Sequence, residues 1–352
     1  MRIVVYLGHP AHFHNYKNTI AALKEHGHEV EVLIKKKDIL EDLLKNAGIP
    51  YHNILEEGRK DSKAGIFLGL LKRAWRLNSF CNRFHPDLLT GSSVENSLIG
   101  PLRHIPVISI GEDDESVVPN YARLTYPGAS VILCPESCDC GKWNDKAVKY
   151  PGYQELGYLH PDNFTPSKEV VRKYMDPDEP YFVMRFSGLN AHHDNGIRGI
   201  NNDIARRIID ILKPHGRVYI TSERPLAEEF EPYRIAINPL DIHHVMAFAS
   251  LYVGDSQTMA AESGVLGVPF VRFNDFVGKI GYLNELENKY RLGFGITPDN
   301  EEKLYETLRE LLEMPDRKAV FQQRKKEMLA SSINFADFLT NFIESFPIKG
   351  RK

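Results

Sequence analysis

Short apolar runs alternate along this chain with longer segments of helical period, and the alternation starts twice. Such alternation is the signature of βα units around a parallel sheet, because a parallel strand must be reached by a crossover, usually a helix. Ile3–Leu7 (IVVYL) reads as a strand, Tyr16–His26 as a helix with Ile20, Ala21 and Leu23 on one side, and Glu29–Ile34 (EVEVLI) as a second strand. Asp38–Asn46 has helical spacing, and short strands are expected at Asp87–Thr90, Pro106–Ile110 and Val131–Cys134. A stretch rich in proline and charge follows from Pro161 to Pro180, around a short helix near Lys168–Tyr174. The pattern then restarts, with strands at Tyr181–Phe186, Arg217–Thr221, Leu251–Gly254 and Pro269–Phe273. Helices are expected at Asn201–Leu212, Ile242–Ala249, Thr258–Leu266, Glu301–Leu312, Arg317–Met328 and Phe335–Phe346.

Two tandem Rossmann-like halves result. The expected domains are 1–165 and 166–333, with 334–352 forming a helix that could cross back to the first domain. A length of 352 residues fits two domains at roughly 150 each. The natural ligand site of such a pair is the cleft between them, near the carboxyl ends of the strands. Lys+Arg 44 against Asp+Glu 47 supplies no basic field, so nucleic acid is not an expected partner. Four cysteines are too few for a disulfide framework and point to a reducing, cytoplasmic compartment. The run Ile3–Leu7 is too short for a signal peptide core, and no stretch approaches the roughly 18 apolar residues of a membrane span.

The most informative segment is Val253–Phe273, VGDSQTMAAESGVLGVPFVRF. A strand ends at Gly254, a polar turn follows, and a helix of small residues begins. Free N–H groups at a helix start, with the Ser256 and Thr258 hydroxyls, suit a phosphate. Glu262, further into the helix, can accept both hydroxyls of a ribose. The structural alternative makes Asp255 or Ser256 the helix cap. Arg185 ends the first strand of the second half, where a guanidinium can clamp a diphosphate and stabilise a departing nucleotide.

Gly8-His9-Pro10-Ala11-His12 follows the first strand. Gly8 permits an unusual backbone or a close ligand approach, and His12 and His14 have near-neutral intrinsic pKa values suited to taking a proton from an acceptor hydroxyl. The spacing His-x-x-His-x-His, without acids alongside, is a weak metal signature, and loop histidines bonded to backbone explain it as well. Glu112-Asp-Asp-Glu115 follows the strand Pro106–Ile110, and mutual repulsion makes Glu112 or Asp113 a candidate base. A capping cluster before a helix Ser116–Arg123 accounts for the same residues. Cys134, Cys138 and Cys140, with Cys81, lack the paired knuckles of a zinc site. Phe67–Leu77 is apolar on one face and basic on another, so it could rest peripherally on an anionic membrane or simply cover the first sheet.

The segment Val253–Phe273 resembles the nucleotide-diphosphate-binding stretch of the GT-B superfamily, which includes UDP-N-acetylglucosamine 2-epimerases and the glycosyltransferase of lipid II synthesis. The resemblance places Ser256, Gln257 and Thr258 on the diphosphate and Glu262 on the ribose, and Gly267-Val-Pro-Phe270 matches the Gly-x-Pro that follows. Over nearly its whole length the chain is similar to a domain-of-unknown-function family of predicted archaeal and bacterial glycosyltransferases related to that epimerase. The residues that carry this are Gly8–His12, Gly152–Pro161 (GYQELGYLHP), Arg185–Asp194 (RFSGLNAHHD) and Asp255-Ser256. The His-Arg-x-Glu-Asn signature of the epimerase is absent, and Arg185 with a loop holding His192, His193 and Asp194 stands in its place. An acidic residue after the matching first-domain strand is catalytic in the epimerase, which again selects Glu112 or Asp113.

The resemblance implies an α/β GT-B-like fold, two Rossmann-type domains with parallel sheets facing a central cleft. It implies a metal-independent glycosyltransferase with no cofactor beyond its nucleotide-diphosphate sugar, expected to be UDP-linked, and a glycan or lipid-linked acceptor. A UDP-N-acetyl-sugar 2-epimerase is the alternative enzyme, and a non-catalytic nucleotide-sugar-binding protein the alternative from another class.

Overall fold

The computed structural model describes residues 1–35, 39–54, 63–188 and 196–348, the side chains at 63, 64, 66 and 67 excepted. They form two compact units, residues 1–163 with 333–352, and residues 164–332.

The first unit runs β1 (Arg2–Leu7), α1 (Pro10–Glu25), β2 (Glu29–Ile34), α2 (Leu40–Asn46), β3 (His52–Asn53), α3 (Lys63–Phe84), β4 (Leu88–Gly91), α4 (Val94–Leu102), β5 (Val107–Ile110), α5 (Pro119–Thr125), β6 (Val131–Pro135), β7 (Ala147–Tyr150) and α6 (Leu156–Leu159). The strands pair in the order β3-β2-β1-β4-β5-β6-β7, all parallel. Parallel strands are covered on both faces, which is why β1 is apolar at every inner position instead of alternating: Ile3, Val4, Val5 and Leu7 are all fully buried. On one face Ala74, Leu77, Phe80 and Cys81 of α3 pack with Val4, Tyr6, Leu33, Leu89, Ile99 and Val107. The segment Phe67–Leu77 therefore lies within α3, a helix that covers the sheet.

The second unit runs α7 (Lys168–Val171), β8 (Tyr181–Phe186), α8 (Asn202–Leu212), β9 (Arg217–Ser222), α9 (Ile242–Phe248), β10 (Leu251–Gly254), α10 (Gln257–Val265), β11 (Phe270–Phe273), α11 (Gly281–Asn284), β12 (Gly293–Ile296), α12 (Glu301–Glu313) and α13 (Arg317–Ala330). Its parallel sheet has the order β12-β11-β10-β8-β9. In α8 the apolar positions Ile204, Ala205, Ile208, Ile209 and Leu212 fall on one stripe and are buried, and the Asn201 side chain caps the helix by accepting from the Ile204 N–H at 2.9 Å. The last helix, α14 (Phe335–Ser345), belongs to the first unit. It buries Phe335, Leu339 and Ile343 and packs on α1 and α6.

Gly152–Pro161, one of the segments that carries the family resemblance, is the joint of that packing. Tyr153, Glu155, Leu156 and Tyr158 are fully buried, Gln154 Oε1 accepts from Asn15 of α1 at 2.6 Å, and the Gly157 carbonyl accepts from Asn18 at 2.8 Å. α1 itself starts at Pro10, six residues before the sequence pattern suggests. Proline presets the backbone angle of a first helical position, and the His9 side chain caps the helix by accepting from the Ala11 N–H at 3.2 Å.

Candidate nucleotide-sugar site

In the second sheet the chain changes direction between β8 and β10: β9 lies on one side of β8, and β10, β11 and β12 build out on the other. Ligands of open α/β sheets bind beyond the carboxyl ends of the strands at such a switch point. Arg185 of β8 and Gly254 of β10 are paired there. A Cβ at Gly254 would sit 2.4 Å from Tyr252 Oη and 2.9 Å from the Arg185 carbonyl oxygen, so a side chain at this strand end would force the two apart.

Asp255, next in the chain, is fully buried. Its Oδ1 accepts from the Ser187 N–H at 2.6 Å and the Ser187 hydroxyl at 2.9 Å, and its Oδ2 from the Ile200 N–H at 3.3 Å. Burial raises its pKa, while the bonds from Ser187 oppose that rise. Asp255 thereby ties the segment leaving β8 to the approach to α8. The cap of α10 is Ser256, whose Oγ accepts from the Met259 N–H at 3.4 Å. Asn274, after β11, donates to the Asp255 carbonyl at 2.9 Å and to Gln257 Oε1 at 3.4 Å. Behind it the fully buried Arg272 reaches Asn274 Oδ1 at 3.5 Å and forms an ion pair with Glu287 at 2.8 Å. A continuous polar chain from Glu287 to Asp255 therefore fixes the turn in which Ser256, Gln257 and Thr258 sit.

The Arg185 guanidinium bonds through Nη2 to Glu223 Oε1, while Glu223 Oε2 accepts the Gly188 N–H at 2.9 Å. A carboxylate thus lies between a guanidinium and a backbone N–H beyond the carboxyl ends of β8 and β9, an arrangement that suits an oxyanion. Glu262 is buried on α10, and its Oε1 bonds His243 Nε2 of α9 at 2.8 Å. His243 is held edge-on by Phe164, with ring centroids 6.3 Å apart.

The first sheet has its own switch point between β1 and β4. Gly91 ends β4 with φ +120, and a Cβ there would lie 2.3 Å from the Tyr6 carbonyl oxygen. Gly8, by contrast, lies outside the left-handed region, and its nearest neighbours are the flexible end of Lys35 and the Tyr6 ring at 3.6 Å. Of the two readings of Gly8, the unusual backbone is found at Gly91 and not at Gly8, which leaves a close ligand approach as its expected use.

The Gly8 N–H donates to His12 Nδ1 at 3.1 Å. A backbone N–H is always the donor, so neutral His12 carries its proton on Nε2 and presents a donor there. Burial, then the neighbouring His9 and Lys35, lower its pKa to about 3. This state suits substrate contact and works against the general-base role expected for His12. His14 departs further from expectation. Two residues along a helix turn it about 200° from His12, and its ring packs on Tyr158 at 5.3 Å and Phe13 at 5.1 Å.

Glu112 and Asp113 lie in the loop after β5, half-buried. The Glu112 carbonyl accepts the Cys138 thiol at 2.6 Å, Asp114 Oδ1 accepts the Asp139 N–H at 2.9 Å, and the Glu115 N–H donates to the Asp139 carbonyl at 2.8 Å. The acidic run is therefore stitched to the loop after β6. It is not a first helical turn, because α5 starts at Pro119 with Val118 before it and no side-chain cap. His192, His193 and Asp194 lie outside the described residues. Among the described residues no group of three or more His, Cys, Asp or Glu side chains is placed to hold a metal ion, and no helix is long and apolar enough to cross a membrane. All four cysteines are free and buried.

The fold has parallels among solved structures. A family model described as "Protein of unknown function (DUF354)" matches residues 1–284. No curated protein matches the chain. Among solved structures, UDP-GlcNAc 2-epimerase from Neisseria meningitidis bound to UDP-GlcNAc aligns over 98% of this chain and 100% of its own at 16% identity and TM-score 0.66. UDP-GlcNAc 2-epimerase from Methanocaldococcus jannaschii aligns over 98% and 100% at 13% identity and TM-score 0.68. The spinosyn rhamnosyltransferase SpnG complexed with spinosyn aglycone aligns over 98% and 100% at 17% identity and TM-score 0.61. At these identities the likeness shows the fold: α/β, of the GT-B type, with two Rossmann domains built on parallel sheets.

Proposed function

We propose, for a chain that belongs to the DUF354 family of proteins of unknown function, that it is a GT-B glycosyltransferase moving a sugar from a UDP-linked donor to an acceptor of glycan synthesis. The observation that carries this reading is the strand-end geometry of the second unit: Arg185 and the Gly188 N–H hold a carboxylate beyond β8, and the Ser256-capped helix α10 starts after the neighbouring strand β10. A diphosphate would replace the Glu223 carboxylate there, with Ser256, Gln257 and Thr258 beside it and Glu262, oriented by His243, on the ribose. As the glycosidic bond breaks, negative charge grows on the leaving diphosphate, and Arg185 with the helix start would meet it. In the first unit His12 Nε2–H would donate to the substrate, and Glu112 or Asp113 would take the acceptor's proton.

The test is a thermal-shift screen with UDP, GDP, CDP, dTDP and their sugars on the wild type, Arg185→Ala and Glu262→Ala. A ligand at 100 times its Kd stabilises by about 2.7 kcal/mol, a shift of several degrees. One nucleotide should shift the wild type and neither variant; no shift with any of them removes the reading. Epimerisation at C2 of a UDP-N-acetyl sugar is the second reading, favoured by the full-length likeness to two such epimerases. Incubation with the sugar nucleotide alone separates the two, since only the epimerase turns it over without an acceptor.

A further inference from the structure

Winding from β3 through β4 and β5 to β6 runs one way across the first sheet, so right-handed crossovers place α3, α4 and α5 on the same face. The three pack side by side. While α3 turns Ala74, Leu77 and Cys81 inward, its Leu68, Leu71 and Trp75, at spacing i, i+3, i+7, point outward; Leu68 is 63% and Trp75 68% exposed. Leu102 of α4 is 70% exposed, with Leu98 beside it one turn earlier, and Leu124 of α5 is exposed as well. A cluster of this kind on three adjacent helices is an interaction surface, not scattered surface leucine.

The charge on these helices identifies the partner. Their basic residues are Lys63, Lys72, Arg73, Arg76, Arg83 and Arg123, and their one acid, Glu95, is buried and ion-paired with Arg73. Lys72, Arg76 and Arg83 share the helical stripe next to the apolar one. The chain as a whole is at −3, so the positive charge is local. A second copy docked two-fold on this face would set the patch against itself and bring like charges together. We propose that the α3–α5 face seats the first unit on an anionic lipid surface, with Trp75 and the leucines in the headgroup region and the basic stripe on the lipid phosphates. This does not depend on the nucleotide-sugar reading.

The two tryptophans of the chain make the test direct, because Trp143 is buried and Trp75 exposed. Full-length Trp143→Phe protein is mixed with vesicles of phosphatidylcholine alone and of phosphatidylcholine with about one-third phosphatidylglycerol, and read by sedimentation and emission. Binding to the anionic vesicles only, with a blue shift of Trp75 and weakening by salt, is the expected result. Trp75→Ser with Leu102→Ser, and separately Lys72→Glu with Arg123→Glu, should each weaken partition by about tenfold while thermal melting stays unchanged. Failure to bind anionic vesicles overturns the proposal, as does binding that both double variants retain. A dimer broken by Trp75→Ser, with no vesicle binding, reassigns the face to a second copy.

Discussion

At the scale of single residues, His12 and Glu223 carry the sharpest expectations. Folded His12 stays unprotonated down to about pH 3, whereas in the unfolded chain it takes up a proton near its ordinary value of 6.5. With the folded pKa below the unfolded one, its contribution is intact above that value and lost as the pH falls, by at most about 2 kcal/mol on reaching roughly pH 5. His12→Asn should flatten that part of the urea-denaturation stability profile relative to wild type; an unchanged slope would sink the assignment. Glu223 is more than half exposed, so its pair with Arg185 is weak. Glu223→Gln should tighten UDP binding by about two- to fivefold in calorimetry, because the carboxylate no longer competes with the diphosphate. Weaker binding would mean that Glu223 orients Arg185. Arg185, Ser256 and Glu262 stood out in the sequence because strand ends and helix starts are marked by pattern. Glu223, His243 and Asn274 did not, since each meets its partner from a distant part of the chain.

Among the elements, the long apolar strands β1, β2 and β8 were plain in the sequence, and β3, β7 and β12 were not. β3 has only His52 and Asn53, β7 (AVKY) is an edge strand with two exposed residues, and β12 (GFGI) is half glycine. Their pairing is dictated by neighbours already in place. α4 is illegible in the sequence for a related reason: Asn96, Ser97, Gly100 and Pro101 are poor helix formers, and the helix is held by Ser93 capping the Asn96 N–H at 3.1 Å and by packing on α3 and α5. The close meeting of β4 with β1 gives this region its own test. Gly91→Ala must tolerate both a left-handed φ and a clash with the Tyr6 carbonyl, and should cost more than about 2 kcal/mol in denaturant titration. A near-neutral result would show that the strand ends can separate.

For the molecule as a whole, the donor reading predicts where protection arises. With saturating UDP, hydrogen exchange should slow in peptides covering 181–188 and 251–265, and peptides of the first sheet should respond less. Slowing confined to the first unit would remove the donor from the second. The arrangement of the units along the chain also bears on synthesis. Residues 164–332 are an uninterrupted compact unit, whereas the first needs Phe335, Leu339 and Ile343 of α14 to complete the core under α1 and α6. Domains fold as units while the ribosome advances. The half translated first is therefore the half finished last, and it waits with the α1–α6 surface uncovered while the other is made. Truncation by a premature stop codon before α14 would leave the second unit whole and the first open to chaperones and proteases.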